Sequence, residues 1–116
     1  MADRYEDERG VIQDVFGPMD AVTHITTRKG AVRGNHIHHH TIQWTLVLSG
    51  KLLVILQTPA GRQRHIYGPG ELGCEPAGVP HAWKALEDTE VLVFTKGPRS
   101  GEAYETDTER LGTPLL

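Results

Sequence analysis

Three histidines and one glutamine have the residue types and the spacing of a metal site. His36 and His38 are two residues apart, so on a β-strand both imidazoles point to the same side. Gln43 lies an odd number of residues further along, so a turn or bulge within residues 39–41 is needed to bring its amide to that side. His81 arrives from a distant segment, after a turn rich in proline and glycine. Imidazole nitrogens suit Zn, Fe, Ni or Mn, so these four residues predict a divalent metal ion of a kind left open.

A polar strand edge is the alternative interpretation of the same histidines. The chain has seven histidines among 116 residues, and the run HIHHH at 36–40 is also typical of a solvated edge. The glycines and prolines around the run and around His81 favour the metal site, because they allow the tight turns that would bring the two segments together.

Several neighbouring side chains bear on what such a site does. Trp83 lies two residues beyond His81 and shares its strand face, so we expect it to wall the site. Arg33 has the opposite parity to the histidines and is expected to point outward, unless the strand bends and turns it towards an anionic ligand. Cys74 is expected to be a small core residue rather than a reactive thiol, because no cation adjoins it. Glu71 and Glu75 lie on either side of it in the sequence, and either is a candidate base.

Short runs of alternating apolar and polar residues predict that β-strands position these side chains. Period-2 alternation fits almost the whole chain, and no segment has the pattern of a ten-residue helix. The predicted strands are residues 11–16, 21–27, 32–38, 42–48, 51–57, 63–67, 72–75, 81–86 and 90–95. Residues 102–111 are expected to form at most one short helical turn. Strands separated by turns in this way predict an all-β sandwich or barrel.

Two strands in the middle of the chain predict a hairpin and a dimer. Ser49-Gly50, between the strands at 42–48 and 51–57, is a two-residue turn of the kind that closes a tight hairpin. Both strands are apolar on both faces, and such strands must be covered on both sides. A second sheet or a second subunit can cover the outer face, and we interpret the pattern as a homodimer.

Length and composition indicate one domain in the cytoplasm. The 116 residues are expected to form a single domain over 1–116, with a barrel core at about 11–96 and an arm on either side. The one cysteine cannot form a disulfide within the chain, and the charged first residues lack the apolar core of a signal peptide. No apolar run approaches the ~20 residues of a membrane span. The net charge is −3 and the basic residues are scattered, so neither a membrane nor a nucleic acid is an expected partner.

The glycines, prolines and histidines together resemble the two motifs of the cupin family. Those motifs are G-x5-H-x-H-x3,4-E-x6-G and G-x5-P-x-G-x2-H-x3-N. The positions of this chain that match them are Gly30, His36, His38 and Gly50 in the first motif, and Gly70, Pro76, Gly78 and His81 in the second. The chain departs from the pattern twice, with Gln43 in place of the glutamate and Ala85 in place of the final asparagine.

The resemblance implies an all-β, double-stranded β-helix (jelly-roll) barrel with a metal ion held by His36, His38 and His81. An amide at position 43 leaves the charge of the ion uncompensated, so we expect weaker metal binding and a stronger preference for anionic ligands. Alternatively Gln43 does not coordinate, which leaves a three-histidine face that resembles the thiol dioxygenase branch of cupins.

Two classes of function follow from the resemblance. The metal centre would act on a small polar molecule in the barrel, in an isomerase- or epimerase-like or an oxygenase-like reaction. The alternative is a non-catalytic small-molecule-binding or sensor barrel. The sequence RGNHIH at 33–38 also resembles zinc-bearing cupin domains of bacterial nucleotide-sugar and capsule biosynthesis enzymes, which favours a carbohydrate or polar-acid ligand.

Overall fold

Two β-sheets, packed as a jelly roll, account for most of the chain. The computed structural model describes residues 4–98 and 101–116, so residues 1–3 and 99–100 of the predicted domain lie outside the described residues. The elements are β1 (Arg4–Asp7), β2 (Gly10–Gln13), β3 (Ala21–Thr27), β4 (Val32–His38), β5 (Ile42–Ser49), β6 (Leu52–Thr58), β7 (Gly61–Tyr67), β8 (Leu72–Glu75), β9 (His81–Ala85), β10 (Thr89–Lys96), α1 (Gly101–Asp107) and β11 (Thr108–Arg110). One sheet has the order β3-β10-β5-β8 and the other the order β11-β4-β9-β6-β7. The predicted all-β jelly-roll fold is confirmed.

The core lies between the two sheets and follows from the alternation in their strands. In β10, alternate residues from Thr89 to Thr95 are buried, and the residues between them are partly exposed. Because alternate side chains of a strand point to opposite faces, this pattern buries one face of the strand. The apolar cluster that fills the space draws on both sheets and comprises Val47, Leu52, Val54, Leu56, Trp83, Val91 and Val93.

Most predicted strands agree with the structure, and the exceptions lie at the two ends. Strands β3, β4 and β8 have the predicted limits. The run at 11–16 contributes β2, but β2 pairs with β1 in a separate two-stranded hairpin outside both sheets. Beyond residue 96, β11 pairs with β4 and extends the five-stranded sheet. A short, polar three-residue strand has no sequence signal of its own, because its conformation depends on its partner.

The predicted hairpin at Ser49-Gly50 is wrong. β5 pairs with β10 and β8, whereas β6 pairs with β7 and β9 in the other sheet. The turn therefore carries the chain from one sheet to the other. Gly50 has a φ of 88°, and a Cβ at this position would overlap the carbonyl oxygen of Asp88. Glycine suits the close contact with the neighbouring turn as well as the local turn geometry.

The burial of β6 removes part of the argument for the predicted dimer. Residues Leu52–Leu56 of β6 are all buried within the single chain, including Leu53 and Ile55 at 3% and 4% exposure. No second subunit is needed to cover this strand. On the outer face of β5, Trp44 and Leu46 are partly exposed and Leu48 is exposed, so the homodimer stays a prediction. α1, the one helix in the described parts of the chain, has seven residues, and no helix there is long and apolar enough to cross a membrane.

Candidate metal centre

A bulge in β4 sets the register that brings two of the predicted ligands together. The pairing of β4 with β9 shifts between Gly34 and His36, and His36 then lies opposite His81. Gly34 and Asn35 both have positive φ, 87° and 58°. A Cβ on Gly34 would lie 3.1 Å from the carbonyl oxygen of His81, so glycine here allows the two strands to approach closely.

His38 is the last residue of β4, and residues of the C-terminal segment contact its side chain. It is buried, and its Nδ1 lies 3.0 Å from Oγ1 of Thr108 and 3.9 Å from a carboxylate oxygen of Asp107. Asp107 is itself fixed, because it accepts hydrogen bonds from the Thr41 hydroxyl and the His40 backbone N–H. The segment that was expected to be an arm therefore holds one of the three histidines.

His81 begins β9 and is held as a neutral imidazole. It is only 2% exposed, and its Nδ1–H donates to the carbonyl oxygen of Val79 at 3.3 Å. Burial lowers the pKa of His81 to about 4, an effect opposed by the Val79 hydrogen bond and reinforced by His38. A neutral ring with Nδ1 protonated carries its lone pair on Nε2, which is the form that binds a metal.

The three histidines form one cluster. A ligand nitrogen from each of His36, His38 and His81 lies within 4.8 Å of the others. Their ring centroids are 4.4 to 5.4 Å apart. Three buried or half-buried imidazoles of this kind fit a divalent transition metal, and outer hydrogen bonds to Nδ1 are typical of histidine ligands. Metal binding by the cluster stays a prediction.

Gln43 reaches the same cavity from the opposite sheet. The chain bends at residues 39–40, where a break was expected, and crosses from β4 to β5. Gln43 and the three histidines all line one cavity. In its own sheet Gln43 lies between Thr95 on β10 and Glu75 on β8. Whether its amide coordinates an ion stays a prediction.

Glu75 is a buried carboxylate beside Gln43. It is 2% exposed and accepts hydrogen bonds from the Trp83 indole N–H and the Thr45 hydroxyl, both at 3.0 Å, and the Gln43 side chain lies beside it. Burial raises the pKa of Glu75 to about 7, although these hydrogen bonds oppose the rise. Glu75 is absent from the residues that line the cavity, so it lies behind Gln43 rather than facing a ligand.

The cavity has a volume of about 430 Å³, and no carboxylate of residues 4–98 or 101–116 lines it. Two arginines, Arg33 and Arg110, line it together with Tyr104 and Thr95. Tyr104 lies beside His38, with ring centroids 5.7 Å apart. Thr95 Oγ1 is buried and has no hydrogen-bond partner within residues 4–98 and 101–116. The cavity therefore offers cationic and polar groups, which suit a polar or anionic ligand.

The structure corrects two expectations for neighbouring residues and supports a third. Arg33 lines the cavity instead of pointing outward, because the bulge at 34–35 changes the parity of the strand. Cys74 is exposed rather than in the core. Trp83 lines the cavity as expected. Tyr104 and Arg110 were not predicted from the sequence. They follow the last run of alternating residues, so no local pattern linked them to the histidines.

Comparisons with known proteins agree on the fold. A family model described as the cupin domain matches residues 23–95. No curated protein is similar enough to this sequence to count as a match. QdtA, a sugar 3,4-ketoisomerase from Thermoanaerobacterium thermosaccharolyticum solved in complex with TDP, is 20% identical with a TM-score of 0.73, over 95% of this chain and 84% of its own.

Two further solved structures have the same fold. The dTDP-4-dehydrorhamnose 3,5-epimerase from Sulfolobus tokodaii is 21% identical, with a TM-score of 0.64 over 92% of this chain and 72% of its own. The capsular polysaccharide assembling protein CapF from Staphylococcus aureus is 21% identical, with a TM-score of 0.66 over 97% of this chain. The match covers only 35% of CapF.

Proposed function

Because this chain belongs to the cupin family, we propose that it is a metal-binding barrel that acts on a small polar molecule in its cavity. The observation that carries the proposal is the cluster of His36, His38 and His81, with a ligand nitrogen of each within 4.8 Å of the others at the wall of a cavity of about 430 Å³. Gln43, from the facing sheet, is the fourth ligand.

The chemistry of the ligand set supports a divalent metal ion. Three neutral imidazoles and an amide oxygen suit Zn, Fe, Ni or Mn. None of these ligands compensates the charge of the ion, so the bound ion would act as a strong Lewis acid towards an oxygen atom of a ligand. Arg33 and Arg110 add positive charge to the same cavity, which favours a molecule that carries a negative group.

Isomerisation or epimerisation of a carbohydrate is the reaction class we favour. The similar structures include a sugar 3,4-ketoisomerase and a dTDP-sugar 3,5-epimerase. Such reactions remove a proton next to a carbonyl group and return one, to the neighbouring carbon in isomerisation or to the opposite face of the same carbon in epimerisation, which requires an acid and a base in contact with the sugar. Tyr104 lines the cavity beside His38 and has the chemistry for one of these roles, whereas His38 can take the other only when no ion is bound to it.

A specific contact favours a second candidate, the same proton transfer without a metal. His38 is backed at Nδ1 by Thr108 at 3.0 Å and by the Asp107 carboxylate at 3.9 Å. A carboxylate near Nδ1 orients an imidazole and stabilises its protonated form, as a general base requires. In this version the histidines and Tyr104 act alone.

Metal analysis combined with an activity assay separates these candidates. The protein is purified without a tag or added metal, and its metal content is measured before and after chelation. TDP-4-keto-6-deoxyglucose, which the ketoisomerase binds, is then incubated with each form in D2O, and sugar C–H exchange is followed by NMR. Exchange that depends on the metal supports the proposal, and exchange by metal-free protein supports the second candidate.

Other results of the same experiment would contradict the favoured reaction. Bound iron with O2 consumption would indicate an oxygenase. A bound metal and bound ligand with neither exchange nor O2 consumption would indicate a binding or sensor barrel. Absence of any metal at neutral pH would show that the predicted metal centre is wrong.

The remaining parts of the proposal concern the whole molecule. We take residues 1–116 as a single cupin domain in the cytoplasm, where an unpaired cysteine is usual, and as a homodimer. Exposed apolar side chains on the β1-β2 hairpin and just after it, Tyr5, Ile12 and Val15 at 59%, 69% and 59% exposure, support association of two copies. Light scattering on a sizing column should give twice the 12.8 kDa of one chain, and the single-chain mass would contradict the homodimer.

A further inference from the structure

The cupin motif has glutamate at position 43, whereas this chain has glutamine. The neighbouring residue Glu75 explains this difference. We propose that Glu75 is a positioning residue that holds the Gln43 amide with its oxygen towards the three histidines, and that this pairing requires an amide at position 43. The orienting part rests on the proposed metal centre. The pairing itself does not.

The register of the four-stranded sheet places the two side chains side by side. Gln43 on β5 lies opposite Glu75 on β8. Residues directly opposite in an antiparallel sheet project from the same face, with their Cβ atoms about 4.5–5.5 Å apart. Both side chains therefore point into the space between the sheets, with the Gln43 side chain beside the Glu75 carboxylate.

The hydrogen bonds of Glu75 determine which end of the amide faces it. An ionised carboxylate only accepts hydrogen bonds, and Glu75 also accepts from the Trp83 indole and the Thr45 hydroxyl. These contacts hold the carboxylate in place between the two sheets. Towards the ionised Glu75 carboxylate, Gln43 therefore presents its NH2 group, which turns Oε1 away from Glu75. The cavity wall that Gln43 shares with the histidines lies on that side.

A carboxylate at position 43 would conflict with the same arrangement. Two adjacent carboxylates away from water cannot both be ionised without a large penalty, and neither could donate a hydrogen bond to the other unless it were protonated. Glu75 is 2% exposed, so solvent cannot screen the repulsion. The amide and the acid are thus matched, and exchanging them should preserve the pair whereas changing one should break it.

A reciprocal exchange tests the pairing on metal-free protein. The variants are Gln43→Glu, Glu75→Gln and the double exchange, with Gln63→Glu on the exposed strand β7 as a control for the same substitution. We expect the melting temperature to fall by roughly 10 °C in Gln43→Glu and to return to within about 5 °C of wild type in the double exchange. The control should not change.

Two outcomes would overturn the pairing. One is a set of melting-temperature shifts that simply add. The other is a double exchange that is no more stable than Gln43→Glu, including the case in which neither variant folds. If Gln43→Glu fails to fold and the double exchange folds, the two positions are coupled and the pairing is supported.

Titration of the same proteins with Co²⁺ tests the orienting role. Glu75→Gln leaves position 43 unchanged but lets its amide turn, so we expect Co²⁺ affinity to fall roughly 10- to 100-fold, as for other outer contacts of metal ligands. The double exchange places a carboxylate at position 43 and should bind at least as tightly as wild type. Equal affinity of wild type and Glu75→Gln would overturn the orienting role. Absence of Co²⁺ binding by wild type would instead overturn the metal centre, and the melting temperatures would still decide the pairing.

Discussion

His36 lies directly opposite His81 in the antiparallel pairing of β4 with β9, and the bulge at Gly34 and Asn35 produces that register. The pair joins the two cupin motifs, which are far apart in the sequence. Because directly opposed side chains share a face, this register and the two-residue spacing of His36 and His38 are enough to form the cluster. The cluster therefore depends on the sheet and not on flexible loops.

The first prediction concerns His81, which the pairing places at the centre of the site. His81→Ala should lower the affinity for Co²⁺ by roughly 100-fold or more, because one of three imidazole ligands is lost. The barrel should still fold, since the apolar core lies in other residues. Titration by visible absorption measures affinity, and circular dichroism measures folding. His24→Ala, on the surface beside Glu90, is the control, and equal losses in both variants would contradict the prediction.

The histidine cluster could be predicted from sequence because each of its two segments carries a local signal, and the resemblance to the two cupin motifs joins the segments. Two histidines on one strand and the turn residues before His81 suffice to predict a shared face and a close approach. The limits of β3, β4 and β8 were predictable for the same reason, since alternation and turn residues act within a few positions.

The parts that could not be predicted depend on contacts between distant residues. A two-residue turn at Ser49-Gly50 looks the same whether it closes a hairpin or crosses between sheets, and the packing against Asp88 decides. Likewise Arg110 lines the cavity only because β11 pairs with β4. The burial of Glu75 follows from the Trp83 indole of the facing sheet, which no spacing along the chain indicates.

The second prediction concerns anion binding in the cavity. Arg110→Gln should weaken the binding of TDP roughly 10-fold, because a charged hydrogen-bond donor is lost from the cavity lining. Isothermal titration calorimetry measures the effect. Arg64→Gln makes the same change on exposed strand β7 and should leave binding unaltered. Equal weakening in both variants would mean that net charge, rather than the cavity, attracts the ligand.

The third prediction is a pH dependence at the one cysteine. Desolvation by neighbouring groups, and secondarily the nearby Glu75, raises the pKa of the Cys74 thiol above its usual value, although the residue is exposed at the surface. Only the thiolate is nucleophilic, so alkylation by iodoacetamide should be slow at pH 7 and should increase at higher pH than for a free cysteine. Glu75→Gln should shift the profile modestly to lower pH. Mass spectrometry over a pH series measures the alkylation rates. A rate that rises at the same pH as for free cysteine would contradict the prediction, and a rise at lower pH would show that the thiol is activated.

The last prediction tests whether Gly50 is required by its neighbours or only by its own backbone. Gly50 and Gly70 have similar φ values, 88° and 82°, but a Cβ would overlap Asp88 and Thr89 at Gly50 and meet nothing within 4 Å at Gly70. Gly70→Ala should therefore lower the free energy of unfolding by about 1 kcal/mol, the penalty of a left-handed conformation alone. Gly50→Ala adds the overlap and should lower it by about 3 kcal/mol. Urea unfolding followed by tryptophan fluorescence compares the two, and equal losses would mean that the turn, rather than its contact with residues 88–89, selects glycine.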